Sequence, residues 1–108
     1  MRSSGTTGVA EPENLPQGFH LEQNYPNPFN GSTLMRYELP ENSAVRIRVF
    51  TVLGAYVATL VDGVQPAGRY LTGWDGRDSS RQTVGSGIYM VRMEAGGESV
   101  TRKIIYLR

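Results

Sequence analysis

From Thr33 onward, apolar and polar residues alternate in short runs. Met35, Tyr37 and Leu39 alternate with Arg36 and Glu38, and Val45, Ile47 and Val49 alternate with Arg46 and Arg48. A period of two places each apolar set on one face of an extended strand. The runs are rich in Val, Ile, Tyr and Thr and are separated by Gly, Pro, Asn and Asp, which is the pattern of an all-β chain. No segment carries a helical period. The turn "PENS" is expected to join the first two runs as a hairpin. Further strands are predicted from about Tyr56 to Val61, from Arg69 to Trp74, from Gly87 to Ala95 and from Glu98 to Leu107, with "DGVQPAG" read as a break and "FHLEQ" near Phe19 as a seventh candidate. Between the last two strands, Gly96-Gly97 is a two-residue loop of the kind that favours primed hairpin turns.

Strands of this kind must bury their apolar faces against one another. The expected fold is all-β, an immunoglobulin-like antiparallel β-sandwich of about seven strands. Its interior is expected to be filled by Trp74 and the tyrosines at 37, 70 and 89, since the chain has no cysteine to form an inter-sheet disulfide. Residues 1–18 are Gly, Ser, Thr, Pro and Glu with little apolar content and read as a flexible linker; residues 19–108 form the domain. A Met followed by such a run resembles an interdomain linker given a start codon, so the chain is expected to be an excised C-terminal module.

Composition narrows the function. At 108 residues the chain builds one core, with little left to line a catalytic cleft. The absence of cysteine excludes thiolate metal sites and a cysteine nucleophile. His20 is the only histidine, and no Ser-His-Asp order or nucleophile elbow is present. The loop "DGRDSS", Asp75 to Ser80, holds two carboxylates, but it lacks the spacing and bidentate Glu of an EF-hand and reads as an Asp-capped loop rather than a Ca²⁺ site. A non-enzymatic domain without a cofactor is expected. A net charge of +1 gives no reason to expect nucleic acid, and no run is long and apolar enough to make a transmembrane segment or a signal-peptide core. Ten of the eleven basic residues are Arg, which suits carboxylate or phosphate recognition but also a GC-rich genome.

Surface features follow from the same alternation. Arg46 and Arg48 are placed on a charged face, with Arg36 and Glu38 on the neighbouring strand and Arg92, Glu94 and Arg102 on the terminal hairpin. That face reads as solvated and laced by cross-strand ion pairs, with docking of an acidic partner as the functional alternative. Ile104 and Ile105 point to opposite faces, leaving one partly exposed. Tyr56, Tyr70 and Trp74 are candidates for a sugar-binding platform, although Tyr70 and Trp74 share a face in the manner of core residues.

The most specific stretch is Tyr25-Pro26-Asn27-Pro28-Phe29. Each proline fixes its own φ and holds the preceding residue out of the helical region, so the segment is stiff before folding begins. Asn24, Asn27 and Asn30 supply side-chain hydrogen bonds to backbone, and Tyr25 and Phe29 are expected to insert their rings at one end of the sandwich. The stretch reads as a rigid lid.

"LEQNYPNPFNGSTLMRYELP" resembles the opening of the C-terminal sorting domain of the type IX (Por) secretion system, type A, found on proteins exported by Bacteroidetes and their relatives. The resemblance continues through "VRIRVFTVLGAYVATLVDG", "QPAGRY", "WDGRDSSRQTVGSGIYMVRMEAGG" and the terminal "TRKIIYLR", and covers roughly Leu15 to Arg108. Gly31 departs from it where a proline is common, as do Thr51 and Ala55 on either side of "VLG". The flagellar hook-capping family has a related immunoglobulin-like domain with a similar Trp-Asp-Gly, here Trp74, Asp75 and Gly76, and a similar Gly-x-Tyr, here Gly87 to Tyr89; these features mark the fold more than the role.

The resemblance implies a signal that is itself a folded domain. It is recognised by the translocon and shuttle proteins at the outer membrane. In many members of that family a sortase-like peptidase cuts before the domain and joins the cargo to an anionic lipopolysaccharide; here the cut would fall ahead of Phe19. The implied location is extracellular or at the cell surface, after transit through the periplasm. Lys103, Arg102, Gly87 and Tyr89 are the candidate recognition residues, Lys103 foremost because an internal ion pair would be served by the Arg used elsewhere. Tyr25, Pro26, Asn27, Pro28, Phe29, Trp74, Asp75 and Gly76 are assigned to structure. A carbohydrate-binding or adhesive accessory module and a passive spacer module remain as alternatives.

Overall fold

The structure is a computed structural model and describes residues 15–108. The linker expected over residues 1–18 lies outside the described residues as far as residue 14. Seven strands follow in order: β1 (His20–Leu21), β2 (Thr33–Leu39), β3 (Ser43–Thr51), β4 (Tyr56–Gln65), β5 (Gly68–Trp74), β6 (Gly87–Ala95) and β7 (Glu98–Tyr106). They make two antiparallel sheets, ordered β1-β2-β5 and β4-β3-β6-β7, and the fold is the expected immunoglobulin-like sandwich. Alternation does what it predicts: Met35, Tyr37 and Leu39 from one sheet meet Val45, Ile47, Val49, Val91 and Met93 from the other in a continuous core.

Three expectations are corrected. The "PENS" turn does not close a hairpin, because β2 pairs with β1 and β5 whereas β3 pairs with β4 and β6. The chain crosses from one sheet to the other there, and the two apolar faces look at each other across the core. Alternation reports which way a strand faces, not which strand lies beside it. Arg36 and Glu38 therefore stand on the opposite outer surface from Arg46 and Arg48.

The break placed at "DGVQPAG" comes later. β4 continues to Gln65, held by the pairs Val45 with Gly63 and Ser43 with Gln65, and the chain turns only at Pro66 and Ala67. Register shifts lie between Ile47 and Arg48 and between Val49 and Phe50, so β4 is bulged opposite β3 and its alternation is irregular.

The third correction concerns Arg102. In register with Val91, it points toward the sheet of β1, and its Nε donates to the Leu21 carbonyl at 2.7 Å. It bridges the two sheets at their open edge and does not share the outer face with Arg92 and Glu94.

The ends of the sandwich differ. One end gathers the starts of β2, β4 and β6 with the ends of β3, β5 and β7, and the Tyr25–Phe29 stretch lies across it. At the other end, Gly96 and Gly97 take φ of 59° and 79°, as a primed turn requires, and the Phe19 ring lies against Gly96 too closely to admit a Cβ. The chain therefore enters the domain at the end opposite the lid.

Candidate functional site

The lid is organised by Asn24, a buried polar residue whose amide nitrogen donates to the Pro26 carbonyl at 3.0 Å and to Thr33 Oγ1 at 2.9 Å. Thr33 Oγ1 donates in turn to the same Pro26 carbonyl at 2.7 Å. Every polar group in this knot is satisfied, as burial demands. Tyr25 exchanges both backbone hydrogen bonds with Leu34, which fastens the lid to the start of β2. The Tyr25–Pro26 and Asn27–Pro28 peptide bonds are both cis.

Past Pro26 the lid leaves β2 and runs along the outer edge of β7. Asn27 Oδ1 accepts from the Ile105 N–H at 3.0 Å, the Phe29 N–H donates to the Ile105 carbonyl at 3.0 Å, and the Leu107 N–H donates to the Phe29 carbonyl at 2.8 Å. Farther along, Gln23 Nε2 donates to the Lys103 carbonyl at 2.7 Å. The opening of the domain thus satisfies backbone groups on an edge strand that would otherwise invite pairing with another chain.

Phe29 sits at the junction, fully buried, with ring centroids 5.7 Å from Trp74 and 5.0 Å from Tyr106. Tyr25 does not insert as expected: it is 82 % exposed. Its backbone is committed to Leu34 while Phe29, four residues on, occupies the end of the core.

Trp74 lies at the centre of the same cluster, 5.2 Å from Tyr89 and 5.9 Å from Tyr106, with Nε1 donating to the Arg77 carbonyl at 2.9 Å. Asp75 and Asp78 spend their oxygens on the loop itself: Asp75 Oδ1 accepts from Arg77 N–H, and Asp78 Oδ1 from the N–H groups of Ser80 and Gln82. These are Asx-type caps. Gly76 has φ of 75°, and a Cβ there would stand 2.6 Å from Tyr106 Cζ. The Trp-Asp-Gly motif is therefore a close-packed corner.

The four candidate recognition residues separate. Tyr89 is in the aromatic cluster, its hydroxyl donating to the Gly85 carbonyl at 2.6 Å, and burial pushes its pKa up, with Tyr106 adding to the rise. Gly87 opens β6 opposite Tyr106. Arg102 is the inter-sheet strut described above. Lys103 alone is exposed on the outer face of the four-stranded sheet, opposite Met90, and makes no ion pair among the described residues.

That outer face also carries a feature the sequence reading did not single out. Arg48 and Arg92 both stack on the Phe50 ring, 5.1 Å and 4.8 Å from its centroid. Arg48 is ion-paired to Glu94 at 2.5 Å, one of the expected cross-strand pairs, whereas Arg92 has no carboxylate partner among the described residues. The signal available was the register of alternate residues 46, 48 and 50 with 94, 92 and 90, which needs the β3–β6 pairing to be known. The proposed aromatic platform is not assembled, since Trp74 is core and Tyr70 stacks on Tyr37 at 5.3 Å with its hydroxyl on the Pro66 carbonyl.

The family model described as the FlgD Ig-like domain matches residues 24–99 of this chain. No curated protein matches it. Among solved structures, it is similar to dimeric latent PorU from Porphyromonas gingivalis, with a TM-score of 0.66 at 16 % identity over 95 % of this chain. It is also similar to PorZ, an essential surface component of the type-IX secretion system of the same organism, with a TM-score of 0.56 at 16 % identity over 84 % of this chain. The chain spans only 10 % and 12 % of those two proteins. At such identity the likeness is one of fold.

Proposed function

This chain belongs to the FlgD Ig-like domain family, and from that premise we propose that it serves as a non-enzymatic C-terminal sorting domain, directing a cargo protein across the outer membrane by the type IX secretion system. The observation that carries the reading is the meeting of the family-like blocks. The Tyr-Pro-Asn-Pro-Phe stretch, the Trp-Asp-Gly corner, the Gly-x-Tyr start of β6 and the terminal strand are far apart in sequence, yet they close one end of the sandwich. A signal read as a folded unit needs its elements held in one arrangement. The fold shared with PorZ and PorU supports the same reading.

In this proposal the partners are the outer-membrane translocon and its shuttle proteins, with a sortase-like peptidase acting ahead of Phe19. The destination is the cell surface or the medium. Lys103, exposed on the terminal hairpin and without an ion pair among the described residues, is the side chain that meets the machinery.

The test is to fuse the whole chain behind a periplasm-targeted fluorescent protein in a host with a type IX system. Fluorescence should reach the surface or medium, fail to do so in a strain lacking the translocon, and fall in a Lys103→Ala variant whose thermal melting is unchanged. Folded reporter held in the periplasm would remove the export role and favour an accessory or spacer module.

A further inference from the structure

The exposed apolar side chains are distributed unevenly. On the four-stranded sheet, Val52, Leu53, Tyr56, Ile88 and Leu107 all stand at the lid end, and Tyr25 and Leu34 of the other sheet lie at that end too. Of the large apolar residues left exposed among the described residues, only Val64 and Leu71 lie elsewhere. Leu53 is 98 % exposed. It is not on a loose loop: the Thr51 N–H donates to the Ala55 carbonyl at 2.8 Å, the Gly54 N–H to the Thr51 carbonyl at 2.9 Å, and the Ala55 N–H to Thr51 Oγ1 at 3.0 Å. The turn holds its leucine in water.

Charge is uneven in the same direction. Arg77 and Arg108 at the lid end, with Lys103 and Arg92 on the adjoining outer face, make no ion pair among the described residues; of the carboxylates there, Asp75 is matched by Arg81 at 3.8 Å and Asp78 caps its own loop, so cations outnumber anions. Glu41, Asp62 and Glu98 gather toward the opposite end, with Arg46 the one cation lining the same hollow and Glu94 paired to Arg48, and Phe19 lies at that end. The lid end is thus apolar at its tips, with a surplus of cations around them, and Phe19 lies at the opposite end.

We infer that the lid end docks on an anionic phospholipid surface, with the Val52–Leu53 turn inserting between headgroups and the surrounding cations meeting lipid phosphates. The apolar residues project from a turn and from strand ends rather than lining a groove, a shape that a soft interface accepts without a built cavity. Cations beside inserted apolar groups add attraction to negative lipid. The acidic end, repelled by the same surface, points away. This inference does not rest on the export reading.

The test is co-sedimentation of the full chain with vesicles of equal parts phosphatidylglycerol and phosphatidylcholine, and with phosphatidylcholine alone. Binding is expected to the anionic vesicles and to weaken with salt. Leu53→Ser should lower the partition coefficient about tenfold and Lys103→Gln about fivefold; Val64→Ser, exposed near the opposite end, should leave it unchanged. Leu53 contributes nothing to the core, so its loss cannot be confused with unfolding. Failure to bind anionic vesicles, equal binding to neutral ones, or equal effects of Leu53→Ser and Val64→Ser would overturn the inference.

Discussion

At the scale of single residues, the lid end is governed by small groups in tight places. Asn24 donates to both Pro26 and Thr33 from a buried position, so Asn24→Ala leaves Thr33 Oγ1 without its donor and the Pro26 carbonyl with Thr33 alone. The expected cost is about 2 kcal/mol, read as a fall of about 1 M in the urea midpoint. Gly76→Ala should cost about 1–3 kcal/mol, because the new Cβ meets the Tyr106 ring in a left-handed backbone. Gly31 has nothing within 4 Å of a Cβ, so Gly31→Ala should move the midpoint by less than the scatter of the measurement. Similar losses for Gly31→Ala and Gly76→Ala would mean that packing against Tyr106 is not what fixes the corner.

At the scale of elements, the lid and the terminal strand act as one piece. The Ile105 amide is held by the Asn27 side chain, whereas the Leu107 amide is held by the Phe29 carbonyl. Asn27→Ala should therefore raise hydrogen exchange at Ile105 while leaving Leu107 protected, and Phe29→Ala, which removes the ring packed on Trp74 and Tyr106, should cost about 3–5 kcal/mol and expose both. Equal deprotection of the two amides in Asn27→Ala would show that the lid detaches as a whole. This coupling explains what the sequence could and could not tell. The alternation of Met35 to Leu39 and Val45 to Val49 disclosed strands and faces, and Gly96-Gly97 disclosed a turn, because those signals are local. The partner of Asn27 lies 78 residues away and the neighbour of β3 is β6, and nothing in local spacing encodes either. The bulges of β4 broke the alternation that would have shown its length. On the outer face, the exposure of Lys103 follows from its chemistry as the lone lysine, whereas the stacking of Arg92 on Phe50 could not be read because it exists only once β3 and β6 are paired.

At the scale of the whole molecule, the two sheets are joined by aromatic residues, and two of these make stability depend on alkaline pH. Burial raises the pKa of Tyr37, opposed in part by its hydrogen bond to Gln65 and reinforced by Tyr70; burial likewise raises that of Tyr89. Each hydroxyl keeps its proton in the folded protein at pH values where the unfolded chain, near the ordinary value of 10.0, has begun to lose it. The folded state then binds more protons, so stability falls as pH rises. The contribution is complete below about pH 10 and is lost as pH climbs through the raised folded values. The urea midpoint should be flat from about pH 8 to about pH 9.5 on this account and decline beyond it. Tyr89→Phe, which keeps the ring against Trp74 and removes only the hydroxyl, should make that decline shallower, as should Tyr37→Phe, and the double variant should flatten it further. Tyr37→Phe also leaves Gln65 without its donor, so its midpoint starts lower at neutral pH while its alkaline slope is smaller. That opposite movement of offset and slope separates a titration effect from a packing loss, which would lower the midpoint equally at every pH.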